Sequence, residues 1–181
     1  MIRSIRLRWV LVITGFALVA AACSGLSEGP DSATPAVAVG AARAGEPAPN
    51  TEFSTFDGDL AAFSDYAGQP LVVNWWASWC PSCVAEMSAA FLPAQQELGD
   101  RVAFLGLNIQ DDRVAAVGLV EETGVLFDLA EDPDGALYLE LGGLGMPFTV
   151  FITADGRVVE KHNGPLTEQQ LLDKIDEVLL G

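Results

Sequence analysis

The sequence predicts an α/β domain, a mixed β-sheet with helices on both faces, behind an N-terminal signal or anchor and a flexible tether. Three observations predict it. Leu71 to Trp76 is an apolar run interrupted only by Asn74, the pattern of a strand buried on both faces. Strand-like and helix-like segments alternate around it, as they do where helices connect parallel strands. Near the C-terminus, Thr149 to Ile152 and Arg157 to Lys161 are joined by Ala154-Asp155-Gly156, a hairpin signal that adds antiparallel strands.

Residues 1–22 read as an export signal. Arg3, Arg6 and Arg8 make a cationic start, Trp9 to Ala22 is apolar apart from Thr14 and Gly15, and Ala20, Ala21 and Ala22 supply the small residues of a cleavage site. The run is short against the roughly 20 residues of a spanning helix, and an uncleaved anchor is the alternative. Either reading keeps the basic end inside and the rest of the chain outside. Ala20-Ala21-Ala22-Cys23 resembles the lipobox of bacterial lipoproteins, with Ala20 where a bulky aliphatic residue is usual. The expectation is that Cys23 is lipidated and becomes the first residue; an unmodified cysteine is the alternative. Residues 23–45 are rich in Ala, Gly, Pro and Ser without apolar periodicity and read as a tether.

The domain proper is expected over residues 46–181. Phe53 to Phe56 reads as a short edge strand ending at Asp57-Gly58. Pro81 to Leu98 reads as one helix with proline in its first turn. Val102 to Ile109 is a second buried strand and Asp111 to Glu122 a helix opened by acidic residues. A turn at Asp132-Pro133-Asp134-Gly135 leads into a short helix, Ala136 to Leu141. Thr167 opens a final helix, with Gln170 three residues on and Leu171, Leu172, Ile175, Val178 and Leu179 on one face.

The chain of 181 residues carries 25 acidic against 9 basic side chains, a formal charge of −16. Loss of the three N-terminal arginines would make it −19. Such a surface repels phosphate backbones, which excludes nucleic acid as a partner.

The chemistry concentrates in Trp79-Cys80-Pro81-Ser82-Cys83, between the buried strand and a helix. Cys80 at a helix N-terminus would have its thiolate stabilised by free N–H groups, and Cys83 sits one turn on, within reach of a disulfide. Cys80 would attack a substrate disulfide and Cys83 would resolve the mixed disulfide. Zinc needs four ligands, and only Cys23 and His162 remain as cysteine or histidine, so no metal is expected. A purely structural crosslink is the remaining alternative, although so short a loop stabilises little. Trp79 is expected to be exposed beside Cys80 and to touch substrate. Trp75 and Trp76 belong to the buried strand, one at least in the core. His162 reads as a hairpin-end residue, and Asp111-Asp112 as a helix start.

Leu71-Val72-Val73-Asn74-Trp75-Trp76-Ala77-Ser78-Trp79-Cys80-Pro81-Ser82-Cys83 resembles the active-site stretch of the TlpA/ResA-like branch of the thioredoxin superfamily. Glu46 to Pro49 and Phe56-Asp57-Gly58 resemble its entry segment, and Gly145 to Ile152 with Asp155 to Val158 resemble its cis-proline strand and hairpin. The resemblance runs from about Gly45 to Gly181. It implies a thioredoxin-like mixed β-sheet flanked by helices and a membrane-anchored, extracytoplasmic thiol–disulfide oxidoreductase that needs no cofactor. Its partners would be protein disulfides or dithiols and a membrane redox donor or acceptor, some relatives serving cytochrome c maturation.

It also implies site residues. Pro147 would follow a cis peptide against the cysteine pair, leaving the backbone of Met146 to pair with a substrate peptide. Asn74 stands where thioredoxin has a titrating aspartate, and Glu86 matches the branch's active-site glutamate; Ser88 replaces a proline found in many relatives. A solvated surface glutamate is the alternative for Glu86. A peroxiredoxin is disfavoured, because the positions three and seven before Cys80 are Ala77 and Val73, not a hydroxyl residue and proline. A non-catalytic copper-binding lipoprotein is disfavoured too, since His162 lies far from the hairpin proline. As to direction, Ser82 as a donor to Cys80 would favour an oxidant, whereas Asn74 and Glu86 go with the reductant-leaning branch. Reductant is the expectation, with disulfide-forming oxidase as the alternative.

Overall fold

A computed structural model of the chain describes residues 45–181; residues 1–44, and with them Cys23, the signal segment and nearly all of the tether, lie outside the described residues. A seven-stranded sheet runs in the order β2-β1-β5-β4-β3-β6-β7. Its strands are β1 (Phe53–Thr55), β2 (Leu60–Ala61), β3 (Leu71–Trp76), β4 (Ala103–Ile109), β5 (Asp128–Asp132), β6 (Phe148–Ile152) and β7 (Val158–Asn163). β3, β4 and β5 are parallel, and β6, β7, β1 and β2 pair antiparallel at the two sides. The sheet is therefore mixed.

All of β3 is buried, so alternate side chains serve opposite cores. Val72 and Trp76 join the core built with α1 (Pro81–Glu86), α2 (Leu92–Leu98), α3 (Arg113–Thr123) and α5 (Glu168–Ile175). Leu71, Val73 and Trp75 join the core on the other face, with α4 (Ala136–Glu140). Both tryptophans of the strand are fully buried. Trp75 still satisfies its indole N–H, donating to Asp132 Oδ2 at 2.9 Å. The same carboxylate accepts from the backbone N–H groups of Leu137 and Tyr138 and so starts α4.

Four expectations change. β1 is not the edge: Leu60–Ala61, too short to carry a strand pattern, pairs outside it after the turn at Gly58. β5 is not expected from sequence, because Asp-Leu-Ala-Glu-Asp is too acidic to read as a strand; in the structure Ala130 and Asp132 are buried and Leu129 packs against the α1-side core. The helix at 111 begins two residues later, with Asp112 as its cap, accepting from Ala115 N, and Gly124 in the left-handed region closing it. Finally, Pro81 to Leu98 is not uniformly α-helical. Met87–Phe91 widens into a π segment between α1 and α2. Pro93 explains it: without an N–H and with a ring against the preceding turn, it cannot sit in a regular α-helix interior.

The far side of the sheet is trimmed by the entry segment. Val158 N donates to Glu46 O, Ala48 N donates to Gly156 O, and Pro47 bridges Arg157. The entry segment so takes up backbone groups of β7 and of the turn before it that an edge would leave open. At the other end of the chain, Thr167 and Gln170 form a reciprocal capping box on α5, whose Leu171 and Ile175 are buried.

Gly106 marks a close approach in the middle of β4. A methyl group there would lie 2.9 Å from Trp76 Nε1 and 3.0 Å from Phe127 Cε2 and Leu129 Cδ2. Gly106→Ala is expected to destabilise the domain by about 1–3 kcal/mol, as overpacking does. Chemical denaturation read by circular dichroism measures it; a midpoint equal to wild type would mean that the neighbouring rings yield freely.

Candidate functional site

Cys80 and Cys83 form a disulfide with an S–S distance of 1.99 Å. β3 ends at Trp76, and a turn closed by Cys80 N donating to Ala77 O at 3.1 Å brings the chain to the start of α1. Cys80 is the N-cap residue of that helix, with extended backbone, and Pro81 occupies the first turn, where no N–H is needed. Cys83 N donates to Cys80 Sγ at 3.3 Å. The sulfur thus takes the place of the side-chain oxygen that usually caps a helix, where a thiolate would be favoured by the helix dipole. Ser82 Oγ lies 3.5 Å from the same sulfur. Cys80 keeps 6% exposure and Cys83 none. The pair is unequal: a nucleophile from outside meets Cys80 first.

Glu86 follows one helical turn after Cys83 and is 3% exposed, which removes the surface-residue alternative. Its Oε2 accepts from Asn74 Nδ2 at 3.1 Å, and its Oε1 from Leu166 N at 2.6 Å. Asn74 Nδ2 also donates to Thr149 Oγ1 at 3.2 Å, across the register pair that joins β3 to β6. Burial pushes the Glu86 carboxyl up to about 7, against the two hydrogen bonds, which pull it down. A buried carboxyl that titrates near neutrality, one turn from the inner cysteine, can take up and release a proton.

The peptide between Met146 and Pro147 is cis. Met146 packs against both cores, including the one that holds Cys80 and Cys83. Asn163 Oδ1 accepts from Leu144 N and Gly145 N and fixes the loop before the proline. Trp79 is 57% and Leu144 89% exposed, so both present apolar surface to solvent. His162 lies in β7 opposite Thr149, on the register row that includes Asn74. Cys23 is not among the described residues, and among those no group of three or more His, Cys, Asp or Glu is placed to hold a metal.

Two residues that matter locally were read otherwise from sequence. Asp111 is not part of the helix; its carboxylate accepts from Ser78 N at 2.5 Å and Ser78 Oγ at 2.7 Å. Thr149 carried no signal beyond its strand. For Asp111 the only clue lay in Asn108 three residues earlier, whose Nδ2 donates to it at 2.9 Å.

Known proteins are similar to this chain in sequence and in fold. The family model described as Redoxin matches residues 43–179. A thiol:disulfide interchange protein DsbE homolog of Paracoccus denitrificans is 34% identical over 140 residues, covering 76% of this chain and 75% of the relative. The thiol:disulfide interchange protein HelX of Rhodobacter capsulatus is 32% identical over 176 residues, covering 95% and 93%. A solved structure of a secreted Mycobacterium tuberculosis disulfide oxidoreductase homologous to DsbE of E. coli has a TM-score of 0.64 at 23% identity, over 71% of this chain and 96% of that one. At that identity it speaks to fold alone. With the cysteine pair, the family match and relatives of near-equal length taken together, the chain belongs to the Redoxin family, as a thioredoxin-fold thiol–disulfide oxidoreductase of the TlpA/ResA-like branch.

Proposed function

We propose that the enzyme works outside the cytoplasm, tethered to the membrane by lipid on Cys23, and that it reduces disulfides of exported proteins, with cytochrome c maturation as its setting. The observation that carries the redox mechanism is the unequal pair, Cys80 capping α1 and Cys83 wholly enclosed. Cys80 thiolate attacks a substrate disulfide, forming one new S–S bond and releasing one substrate thiolate. Cys83 then attacks Cys80, which frees the second substrate thiol and leaves the enzyme oxidised. A membrane dithiol partner returns two electrons. Glu86 takes the proton from Cys83 as it becomes nucleophilic, a task Asn74 cannot perform because an amide does not titrate. Trp79, Met146 and Pro147 form the surface on which the substrate peptide lies. The export signal supports the location.

Ser82 Oγ near Cys80 Sγ favours the opposite direction, disulfide formation, by stabilising the reduced thiolate. The reduction potential decides between them. A value near that of thioredoxin, about −270 mV, fits the reductant; one near DsbA, about −120 mV, fits the oxidant.

Cys80→Ser should abolish insulin reduction, whereas Cys83→Ser should accumulate a mixed disulfide with substrate. Alkylation of Cys83 ahead of Cys80 at neutral pH would reverse the assignment.

Glu86→Gln keeps the size and polarity of the side chain but removes its titration. Deprotonated Glu86 is the active base, so the resolution rate of the wild type should rise with pH through about 7. That inflection should vanish in Glu86→Gln, with a loss at the low end of the roughly 10²-fold typical of general bases. Superimposable pH–rate profiles would leave the mechanism without its base.

Cys23→Ala should move the protein from the membrane fraction into solution, because two or more acyl chains are what hold a lipoprotein stably. Mass spectrometry of the mature N-terminus checks the assignment; a terminus other than a modified Cys23 refutes it.

A further inference from the structure

The turn that delivers Cys80 is held from outside by the loop after β4. Its closing bond runs from Cys80 N to Ala77 O, so Ser78 and Trp79 are its two central residues. Both are tied to consecutive residues of the other segment. Ser78 gives its N–H and its hydroxyl to the Asp111 carboxylate. Trp79 gives its indole N–H to the Gln110 carbonyl at 3.0 Å. Asp111 is itself braced by Asn108 Nδ2 and by the N–H of Asp112. Asn108 in turn reaches the carbonyl of Trp76, the last residue of β3, at 3.4 Å.

Two further features mark this as a constrained arrangement. Gln110 has φ +46°, a conformation that non-glycine residues rarely adopt and that persists where the surroundings enforce it. Burial pushes the Asp111 carboxyl up, yet the hydrogen bonds from Asn108, Ser78 and Asp112 outweigh it and hold the group below its ordinary range. Its donors thus favour the ionised form that accepts their hydrogen bonds. A simple helix start needs none of this, and Asp112, not Asp111, caps α3.

We propose that Asp111 is a positioning residue for Cys80, the fixed acceptor that, with Gln110, clamps the turn Ala77–Cys80 and holds the nucleophile in its capping place on α1. The inference rests on the thiol–disulfide reading and adds a residue to that site. Asp111→Asn would leave one acceptor oxygen where the carboxylate has two and would turn an N–H₂ towards groups that are themselves donors. The turn then loosens, and the bond from Cys83 N to Cys80 Sγ weakens with it.

The test uses the full-length chain with Asp111→Asn, Ser78→Ala and, as a control for charge, Asp112→Asn. The control removes the neighbouring carboxylate, and asparagine caps a helix as well as aspartate does. Two quantities are read in each: the rate of insulin reduction and, after reduction of the Cys80–Cys83 disulfide, the pH midpoint of Cys80 alkylation, resolved by peptide mass spectrometry. Asp111→Asn is expected to slow exchange about tenfold, within the range that small misplacements produce. It should also move the alkylation midpoint of Cys80 to higher pH, because the thiolate has lost its cap. Ser78→Ala should change both in the same direction by less, and it serves where Asp111→Asn does not fold. Asp112→Asn should match the wild type.

Wild-type values of both quantities in Asp111→Asn, or in Ser78→Ala, overturn the proposal. So does a midpoint displaced to lower pH in Asp111→Asn, which would make Asp111 only a charge that repels the thiolate. An equal effect from Asp112→Asn overturns it as well. Failure of the wild type to reduce insulin would instead sink the functional reading, and the alkylation midpoint would still judge the clamp.

Discussion

The hydrogen bond from Cys83 N to Cys80 Sγ needs a helix to begin at one residue and no other. Much of the molecule serves that constraint. β3 is buried along its whole length, paired with β4 on one side and β6 on the other, so its end is fixed in space. The chain must then turn within Ala77 to Trp79 and enter α1 with Cys80 as the cap. Proline at the next position suits that entry, since its ring favours helical backbone and the N–H it lacks would have no partner. The cysteine that does chemistry is thereby the last residue outside a helix, where backbone donors are concentrated.

A second consequence is electrostatic. Among the described residues, Glu86 is the buried carboxyl on the inner face of the site, with Asn74 and Thr149 as polar neighbours amid the apolar α1-side core. Asn74 from β3 and the backbone of Leu166, which precedes α5, supply donors to its two oxygens. Glu86 therefore joins the helix of the cysteines to the central sheet and to the C-terminal part of the chain. Those bonds reduce the penalty of burying the group but do not cancel it, which leaves a titration near neutral pH. A structural role and a proton-carrying role are compatible here, because the same burial underlies both.

The surroundings of the site also show how local preferences yield to packing. Pro93 disturbs the long helix, and the disturbance is taken up in Met87–Phe91, just beyond Glu86, while Met87, Ala90 and Phe91 stay buried. Arg113 at the start of α3 stacks on the Phe56 ring at 3.9 Å, pairs with Glu131 of β5 and donates to the Phe56 carbonyl. The partly exposed ion pair contributes little by itself. Its effect is to tie the first strand region to the sheet and the helix layer at once. Phe56 in turn lies beside Trp76, which ends the strand leading to the cysteines.

What could be read from the sequence was whatever depends on neighbours along the chain. Leu71 to Trp76, Ala103–Ile109, the hairpin at Gly156, the box of Thr167 and Gln170, and the cysteine pair at a helix start all announce themselves through apolar runs, capping residues and turn chemistry. The thioredoxin-like order of elements followed from these and from the resemblance they carry. Contacts between residues far apart in sequence were not legible. Glu86 and Leu166 are 80 residues apart, Asn74 and Thr149 are 75, and Ser78 and Asp111 are 33. An acidic residue ahead of a helix looks alike whether it caps that helix or holds a turn on another strand. Likewise Asp128–Asp132 became a strand because β4 offered a parallel partner, which outweighs a poor intrinsic preference. The sequence by itself determined the central strands, the C-terminal hairpin, most helix starts and where the reactive sulfurs lie along the chain. Only the tertiary structure decided which carboxyls are buried and what each of them holds, because burial and hydrogen-bond partners are set by strand order and helix placement.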